Sequence, residues 1–488
     1  MKHYLEEMFY NDRSMSFQFR PCTLDQPLLL SPSLQDWLPE NHLARFIADV
    51  SEHLDLSALY AAYGRKDGRG QKGYHPLLLL RLLLYGYCTG VVSSRAMEGA
   101  TYQDVAFRYL AGDQHPDHDT IAAFRQQHLT ALAGLFIQAL RLCQGAGLVK
   151  LGHVALDGTK IQANASKHKA MSYGRMNTTE QRLQTEVEEL LKRAQAADAA
   201  EDEEFGKGQR GDELPEELAR RESRLAKIRA AKADLEAEAK REAEQKKAAA
   251  EAKLAQRREQ EEKTGKKARG HDPQVPDPEK AEVDEKAQRN FTDPESRIMP
   301  DGGHKGSFVQ GYNVQIVVDS EAQIIVACDT IDESNDKQQL APMLAQVEAN
   351  LGVKPQAASA DTGYWSEAQV NDERLKGIEL YVATGKQKHG EAAAVVEVPR
   401  PGEELSPLEA MQQKLKSEAG RAVYKMRKAI VEPVFGQIKE WRQFRRFSVR
   451  GKDQAGAEWK LICLTHNLLK LFRSGYSWDA PSSSRATA

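Results

Sequence analysis

Cysteine is scarce in this 488-residue chain: Cys22, Cys88, Cys143, Cys328 and Cys463 are odd in number, far apart and contain no CxxC pair. That spacing argues against a disulfide framework or a cysteine-rich zinc site and fits a reducing cytoplasm. Long apolar runs are missing as well. The most apolar stretch, Leu77 to Leu84, is broken by Arg81 and falls short of the roughly 18 to 20 residues that span a bilayer. No membrane segment is expected. The N-terminal MKHYLEEMFYNDR carries acids where a signal peptide has its apolar core, so export is not expected either. Met15, where the patterned sequence begins, is an alternative start to Met1. An excess of one charge is the third absence: 68 Lys and Arg against 71 Asp and Glu give a net charge of -3. This argues against a wholly basic coat protein for nucleic acid but leaves room for local patches.

What is present divides the chain by composition. From Leu38 to about Gly147 apolar residues recur at helical spacing (Leu43, Phe46, Ile47 and Val50, then Leu77 to Tyr85, then Val105, Phe107, Tyr109 and Leu110), which predicts an all-α domain. Pro76 suits a first helical turn, GRKDGRGQKG reads as a basic loop, and Asp119 or Thr120 is a candidate N-cap for the helix that follows DQHPDH. The end of this region is compatible with a helix-turn-helix and equally with an ordinary helical bundle. Val149 to Ser166 then reads as two short strands about a DGT turn. Residues 201 to 270 hold 19 basic and 18 acidic residues with Phe205 as their one aromatic, too little apolar material for a packed core. Leu183, Val187 and Leu190, and later Leu218, Leu225, Ile228 and Leu235, follow heptad-like spacing, so a helical hairpin of coiled-coil type is expected, fading after Leu235. From Ser307 a strand hairpin is followed by a helix (LAPMLAQVEANL), a strand (AASAD), a helix (EAQVNDERLKG), a strand (IELYVATG) and C-terminal helices. This order predicts a mixed sheet covered by helices.

Three acids occupy informative places: Asp157 ends an apolar run before Gly-Thr, Asp361 ends AASAD before Thr-Gly, and Glu432 lies in RAVYKMRKAIVEPVFGQIK. For either Asp the plain alternative is turn chemistry, and for Glu432 a solvated pair with Lys428 four residues earlier. Residues 421 to 473 contain 13 Lys or Arg and 4 Asp or Glu, a local excess that attracts polyanions. A projection of that helix puts Val423, Met426, Ile430, Val434 and Ile438 on an apolar stripe and Arg421, Lys425, Lys428, Glu432 and Lys439 on another face. Pro433 predicts a kink or a new helix start. Carboxylates from two strand ends and a helix, brought to one sheet edge, suit two hard divalent cations and phosphodiester chemistry. His115 and His118, flanked by Asp113 and Asp117, are the rival metal constellation, without a further nitrogen or sulfur ligand at zinc-like spacing.

The strings ALDGTKIQANAS, DPESRIMP with GYNVQIVVD, ADTGYWS and YKMRKAIVEPVFGQIK together resemble the DDE transposases of bacterial insertion sequences, in particular an InsH-like group, over about Met15 to Phe472. The resemblance implies an RNase H-like α/β catalytic domain (148–173 and 291–473) interrupted by a charged coiled-coil insertion and linker (174–290). An all-α DNA-binding or dimerisation domain (16–147) precedes it, with an N-terminal extension at 1–15 and a disordered tail at 474–488. It implies Asp157, Asp361 and Glu432 as catalytic metal ligands for Mg²⁺ or Mn²⁺, two ions, and Tyr424, Arg427, Glu432 and Lys439 as a Tyr-Arg-Glu-Lys signature. Four residues separate Arg427 from Glu432 where the family pattern has three, which makes Lys428 a rival for the phosphate-contacting slot. With Lys160, and with Trp365 beside Asp361 as a base-stacking candidate alongside Tyr364, these residues form the expected DNA contacts. The implied partners are double-stranded DNA, as element ends and target, and further copies of the chain, a homodimer or higher, assembled on it in a bacterial cytoplasm at the nucleoid. The implied activity is cleavage at terminal inverted repeats followed by strand transfer. The alternatives are a nuclease that does not join, or an inactive DNA-binding or coiled-coil protein.

Overall fold

The computed structural model describes residues 33–61, 73–205, 216–264, 273–301, 306–385 and 405–476. Met1, Met15, Cys22 and most of the basic loop and C-terminal tail lie outside the described residues.

The helical region comes first: α1 (Leu43–His53), α2 (Ser57–Tyr60), α3 (Pro76–Thr89), α4 (Ser94–Gln103), α5 (Val105–Leu110) and α6 (His118–Gly145). Pro76 stands in the first turn of α3, where its missing N–H costs nothing. The N-cap of α6 is Asp117 rather than Asp119 or Thr120: its carboxylate accepts from the Thr120 N–H at 2.7 Å. Among the described residues no single helix is long and apolar enough to cross a membrane; the apolar α3 is buried inside the fold.

A mixed sheet follows, built from β1 (His153–Gln162), β4 (Arg297–Pro300), β5 (Phe308–Asp319), β6 (Ile325–Ile331), β7 (Ala357–Ala360) and β8 (Glu379–Val382). β1 is central, antiparallel to β5 along Val154–Gln162 and parallel to β7 along His153–Leu156. The far edge of β5 is shared by β4 and β6, and β8 extends the sheet beyond β7. The expected turn at Asp157-Gly158 does not form. Asp157, Gly158 and Thr159 remain paired with Ile316, Gln315 and Val314, so ladder pairing overrides the local turn preference. Gly158 has a packing reason instead: a Cβ there would collide with the Gln315 amide. The β5–β6 hairpin, α9 (Leu340–Leu351), β7 and β8 agree with the sequence pattern, whereas EAQVNDERLKG forms only α10 (Glu367–Val370) and a short 3₁₀ turn at Glu373–Leu375.

Between β1 and β4, the short strands β2 (Ala170–Ser172) and β3 (Gln288–Asn290) pair at the base of two long helices, α7 (Tyr173–Phe205) and α8 (Glu216–Thr264). Met176 and Leu183 of α7 pack against Leu225, Ile228, Ala231 and Leu235 of α8. Cross-helix pairs Arg221–Glu186 at 3.0 Å and Arg229–Glu180 at 2.9 Å run in opposite directions along the two chains, so the helices are antiparallel. The apolar repeat ends at Leu235 but α8 does not. It continues to Thr264 with pairs such as Glu242–Lys246 and Glu259–Lys263 four residues apart, the arrangement that supports a solvated helix.

The last elements are α11 (Pro407–Lys416), α12 (Glu418–Gly436) and α13 (Lys452–Arg473). No new helix start occurs at Pro433: α12 runs through it and passes into a π-helical turn at Gln437–Trp441. Proline removes the bond that residue 433 would give to the carbonyl of residue 429, and that carbonyl is taken up by the Gln323 side-chain amide at 3.0 Å. α13 joins the sheet to the helical region, its buried face sharing one hydrophobic core with α3, α6 and β6. Polar bonds reinforce the junction: Tyr87 donates to Glu458 at 2.6 Å, and the fully buried Arg442 donates to Thr465 Oγ1 at 2.9 Å.

Candidate active site

The register of β1 on β7 builds the site. Leu156 is paired with Ala360, the last residue of β7. The next residue on each strand is an aspartate, Asp157 and Asp361, so the two carboxylates stand together where the parallel strands part. Diverging carboxyl ends of parallel strands are where α/β sheets place their ligands. Asp361 caps the 3₁₀ turn Thr362–Tyr364 by accepting from the Gly363 N–H at 2.8 Å. Asp157 accepts from its neighbour Gly158 N–H at 2.9 Å and from Arg427 Nη1 at 3.3 Å.

α12 lies over this part of the sheet, and Arg427 is its inward charge. The Arg427 side chain is 10% exposed and that of Asp157 is 20% exposed. Burial pushes the Asp157 carboxyl up to about 6; the nearby Asp361 and Asp336 act in the same direction, and Arg427 opposes them. Tyr424 sits beside Arg427, whose guanidinium lies 5.8 Å from the ring centroid. Burial and the carboxylates of Asp361 and Asp157 raise the Tyr424 hydroxyl, against Arg427. Lys160 is half-buried; desolvation lowers its ammonium while Asp336, Asp157 and Asp361 pull it back up. Lys439 reaches the same strand, donating to Thr159 Oγ1 at 2.9 Å and to the Lys160 carbonyl at 3.2 Å.

The structure therefore gathers Asp157, Asp361, Tyr424, Arg427 and Lys160, with Lys439 one step along β1. Lys428 and Glu432 are exposed on α12, and Glu432 has no hydrogen bond or ion pair among the described residues. The helical projection misplaced Met426, expected in the apolar stripe but 50% exposed, and assigned no face to its neighbour Arg427, which is buried. An ion pair with a buried carboxylate outweighs the apolar pattern there. Trp365 is half-buried against the core. Tyr364 is fully buried with its hydroxyl on Gln315 Oε1 and is not available to stack on a base.

Asp336, in the loop before α9, is the acid that sequence reasoning missed. Its Oδ1 accepts from Asn313 Nδ2 at 2.6 Å and Gln315 Nε2 at 2.7 Å, and a Cβ on Gly363 would touch both Asp336 and Asp361. The available signal was on β5: Asn313 and Gln315 are buried polar residues in an apolar strand, and such residues need partners. The rival constellation in the helical region is engaged differently. His118 Nδ1 lies 2.7 Å from Glu98, while His115 stacks on Tyr102 at 3.9 Å and contacts Thr101 Oγ1.

Oxygen donors of the Asp157 and Asp361 kind suit a hard divalent cation. Among the described residues no group of three or more His, Cys, Asp or Glu is poised to hold a metal ion; the aspartates adjoin and Glu432 stands apart.

Two comparisons bear on identity. A transposase domain (DUF772) matches residues 32–127, across the helical region from its start into α6. A transposase DDE domain matches residues 402–472, from α11 through α13, and includes Tyr424, Arg427, Glu432 and Lys439. Asp157 and Asp361 lie outside both ranges. No curated protein and no solved structure matches the chain. Two transposase family models thus match separate parts of the chain, one over the helical region and one over the C-terminal helices that pack on the mixed sheet, and together they support an insertion-sequence transposase of the DDE type.

Proposed function

We propose that the protein is a metal-dependent polynucleotidyl transferase that binds the terminal inverted repeats of its element, cleaves there and joins the 3′-OH ends to target DNA. The observation that carries this reading is the pair Asp157 and Asp361 at the parting of β1 and β7, faced by Arg427 from the helix that the DDE domain match covers. On this proposal Asp157, Asp361 and Glu432 hold Mg²⁺ or Mn²⁺, two ions. Such cations, when bound, supply Lewis-acid polarisation of the phosphodiester and a more acidic attacking water or hydroxyl. Glu432 joins the aspartates by an adjustment of α12, and the missing backbone bond at Pro433, whose acceptor carbonyl Gln323 already holds, is where that helix yields.

The remaining roles belong to the chain's own cations. Arg427 and Tyr424 orient the reacting phosphate, Lys160 and Lys439 hold its neighbours along β1, and Lys428 contacts DNA from the exposed face. Trp365 borders the same site. Arg427, already on Asp157, fills the family's arginine slot, and Lys428 is auxiliary.

The sheet is proposed to be RNase H-like and discontinuous, comprising 148–173 and 291–473. The helical residues 16–147 bind DNA or pair subunits, and 174–290 form a coiled-coil arm that steadies a homodimer or higher assembly on double-stranded DNA at the nucleoid. The InsH-like group remains the proposed subgroup.

The test uses full-length protein with Mg²⁺ or Mn²⁺ and a supercoiled plasmid carrying the coding sequence with its flanking DNA. The expected result is cleavage at inverted repeats and junctions in which 3′ ends are joined to new sites. Cleavage without junctions would make it a nuclease, and binding without either would make it a DNA-binding protein.

A further inference from the structure

The segment after the π-helical turn is laid against β1 beyond the aspartates. Residues 445–450 lie along the end of β1 and its continuation. Gln162 N–H donates to the Arg445 carbonyl at 3.0 Å and Phe447 N–H to the Gln162 carbonyl at 2.8 Å, so the chain is stitched on both sides of Arg446. Asn164 Nδ2 donates to the Ser448 carbonyl at 2.8 Å. Phe444 and Phe447 are buried beneath, which fixes the strap from its inner side.

The outward side is cationic. Arg446 donates from Nε and Nη2 to Gln162 Oε1 at 3.3 and 3.1 Å, and Arg450 Nε donates to the Asn164 carbonyl at 3.0 Å. Each guanidinium is exposed yet anchored at successive points of one extended strand. Lys167 and Lys169, also exposed, come next along the same chain. Among the described residues none of these four cations forms an ion pair. The neighbouring acids are engaged otherwise: Glu440 pairs with Arg445, and Asp332 pairs with Lys452 at 2.7 Å.

The line these charges follow begins at the aspartates. An extended chain advances about 3.3 Å per residue, so Asp157 to Asn164 covers roughly 23 Å. A DNA strand presents a phosphate about every 3.4 Å along the helix axis, so this length matches about six or seven successive phosphates. Anchored guanidiniums lose less freedom on meeting a phosphate than free surface lysines do.

We propose that Arg446, Arg450, Lys167 and Lys169 form a backbone-binding track that holds the duplex flanking the reacting phosphate, leading away from Asp157 along β1. The proposal rests on the transposase reading for its ligand, DNA. Its contacts are to phosphate, so it positions DNA and carries no sequence information.

The experiment measures binding of full-length protein to a mixed-sequence 30-base-pair duplex across a salt series in Ca²⁺. The variants are Lys167→Ala/Lys169→Ala, Arg446→Gln/Arg450→Gln and the charge-keeping Arg446→Lys/Arg450→Lys. Each lost phosphate contact lowers the slope of log K against log salt by about 0.9, so either neutralised pair is expected to lose nearly two units and the lysine pair to stay near wild type. Unchanged slopes in both neutralised pairs, against a salt-dependent wild type, overturn the track and leave the function standing. A lysine pair as weak as the glutamine pair also overturns it, because the arginines would then act by docking the strap. If Arg446→Gln/Arg450→Gln does not fold, the lysine-to-alanine pair decides alone, since Lys167 and Lys169 make no described side-chain bond. A wild-type protein with no salt-dependent DNA binding would instead contradict the transposase reading itself.

Discussion

Glu180 on the insertion and Asp157 on β1 are almost equally accessible, at 18% and 20% side-chain exposure, and their acidities move in opposite directions. Glu180 is held below its usual range by hydrogen bonds from Arg229 and Lys232, the burial cost being outweighed. Asp157 is pushed up to about 6 because burial and two further carboxylates exceed the single guanidinium of Arg427. Both regions are rich in charge. The insertion balances its charges locally on solvated helices, whereas the parting of β1 and β7 gathers like charges in a half-enclosed place and leaves them under-compensated. Such under-compensation is a mark of sites that await a cation or a substrate.

The sharpest way to break this comparison is to neutralise one carboxylate on each side. Asp157→Asn or Asp361→Asn should reduce cleavage and joining by about a thousandfold or more, since several kcal/mol of charge stabilisation are lost, with DNA affinity nearly retained in a Ca²⁺ binding assay. Near-normal cleavage in either variant would remove that residue from the site. The scaffold beneath is next. Gln315→Leu strands the Tyr364 hydroxyl and takes one of the two amides from Asp336; a cost of about 1–3 kcal/mol in urea unfolding is expected. An unchanged midpoint would mean that the network is not stabilising.

A buried histidine separates core from site by pH. Burial lowers His466 to about 3, and its Nε2 lies 3.0 Å from the Gln323 carbonyl. Its folded value is below the unfolded one, so its contribution to stability is present above about pH 6.5 and is lost as pH falls toward 3. Between pH 7 and pH 5 that loss is about 2 kcal/mol, and His466→Gln should flatten this part of the stability curve. An acid limb of the same slope in the variant would contradict it. The smallest effect belongs to the insertion: Glu180→Gln weakens its pairs with Arg229 and Lys232 and should cost under about 1 kcal/mol, leaving cleavage unchanged. A loss of activity there would mean that the arm does more than support itself.

Periodicity disclosed the elements whose burial follows a simple repeat: the helical region, the β5–β6 hairpin, α9 and the pairing of α7 with α8. It failed where tertiary contacts reverse a local preference. Asp157-Gly158 reads as a turn because its local chemistry is that of a turn, yet its pairing with β5 keeps it extended. Pro433 reads as a break because the side chain that compensates it, Gln323, lies far off in the chain. Within the candidate site, both aspartates were visible at the ends of apolar runs, but Asp336 was not, because its partners Asn313 and Gln315 are recognised only when β5 is placed beside β1. The inward turn of Arg427 was hidden for a similar reason: on a helix of mixed charge, only the sheet beneath decides which cation is buried.

The central claim is that the carboxylates at the parting of β1 and β7 form the protein's metal-binding centre. Titrating full-length protein with Mn²⁺ and following free ion by electron paramagnetic resonance tests it without any DNA substrate. The account predicts saturable binding by the wild type that Asp157→Asn/Asp361→Asn abolishes; equal stoichiometry and affinity in the double variant would contradict it.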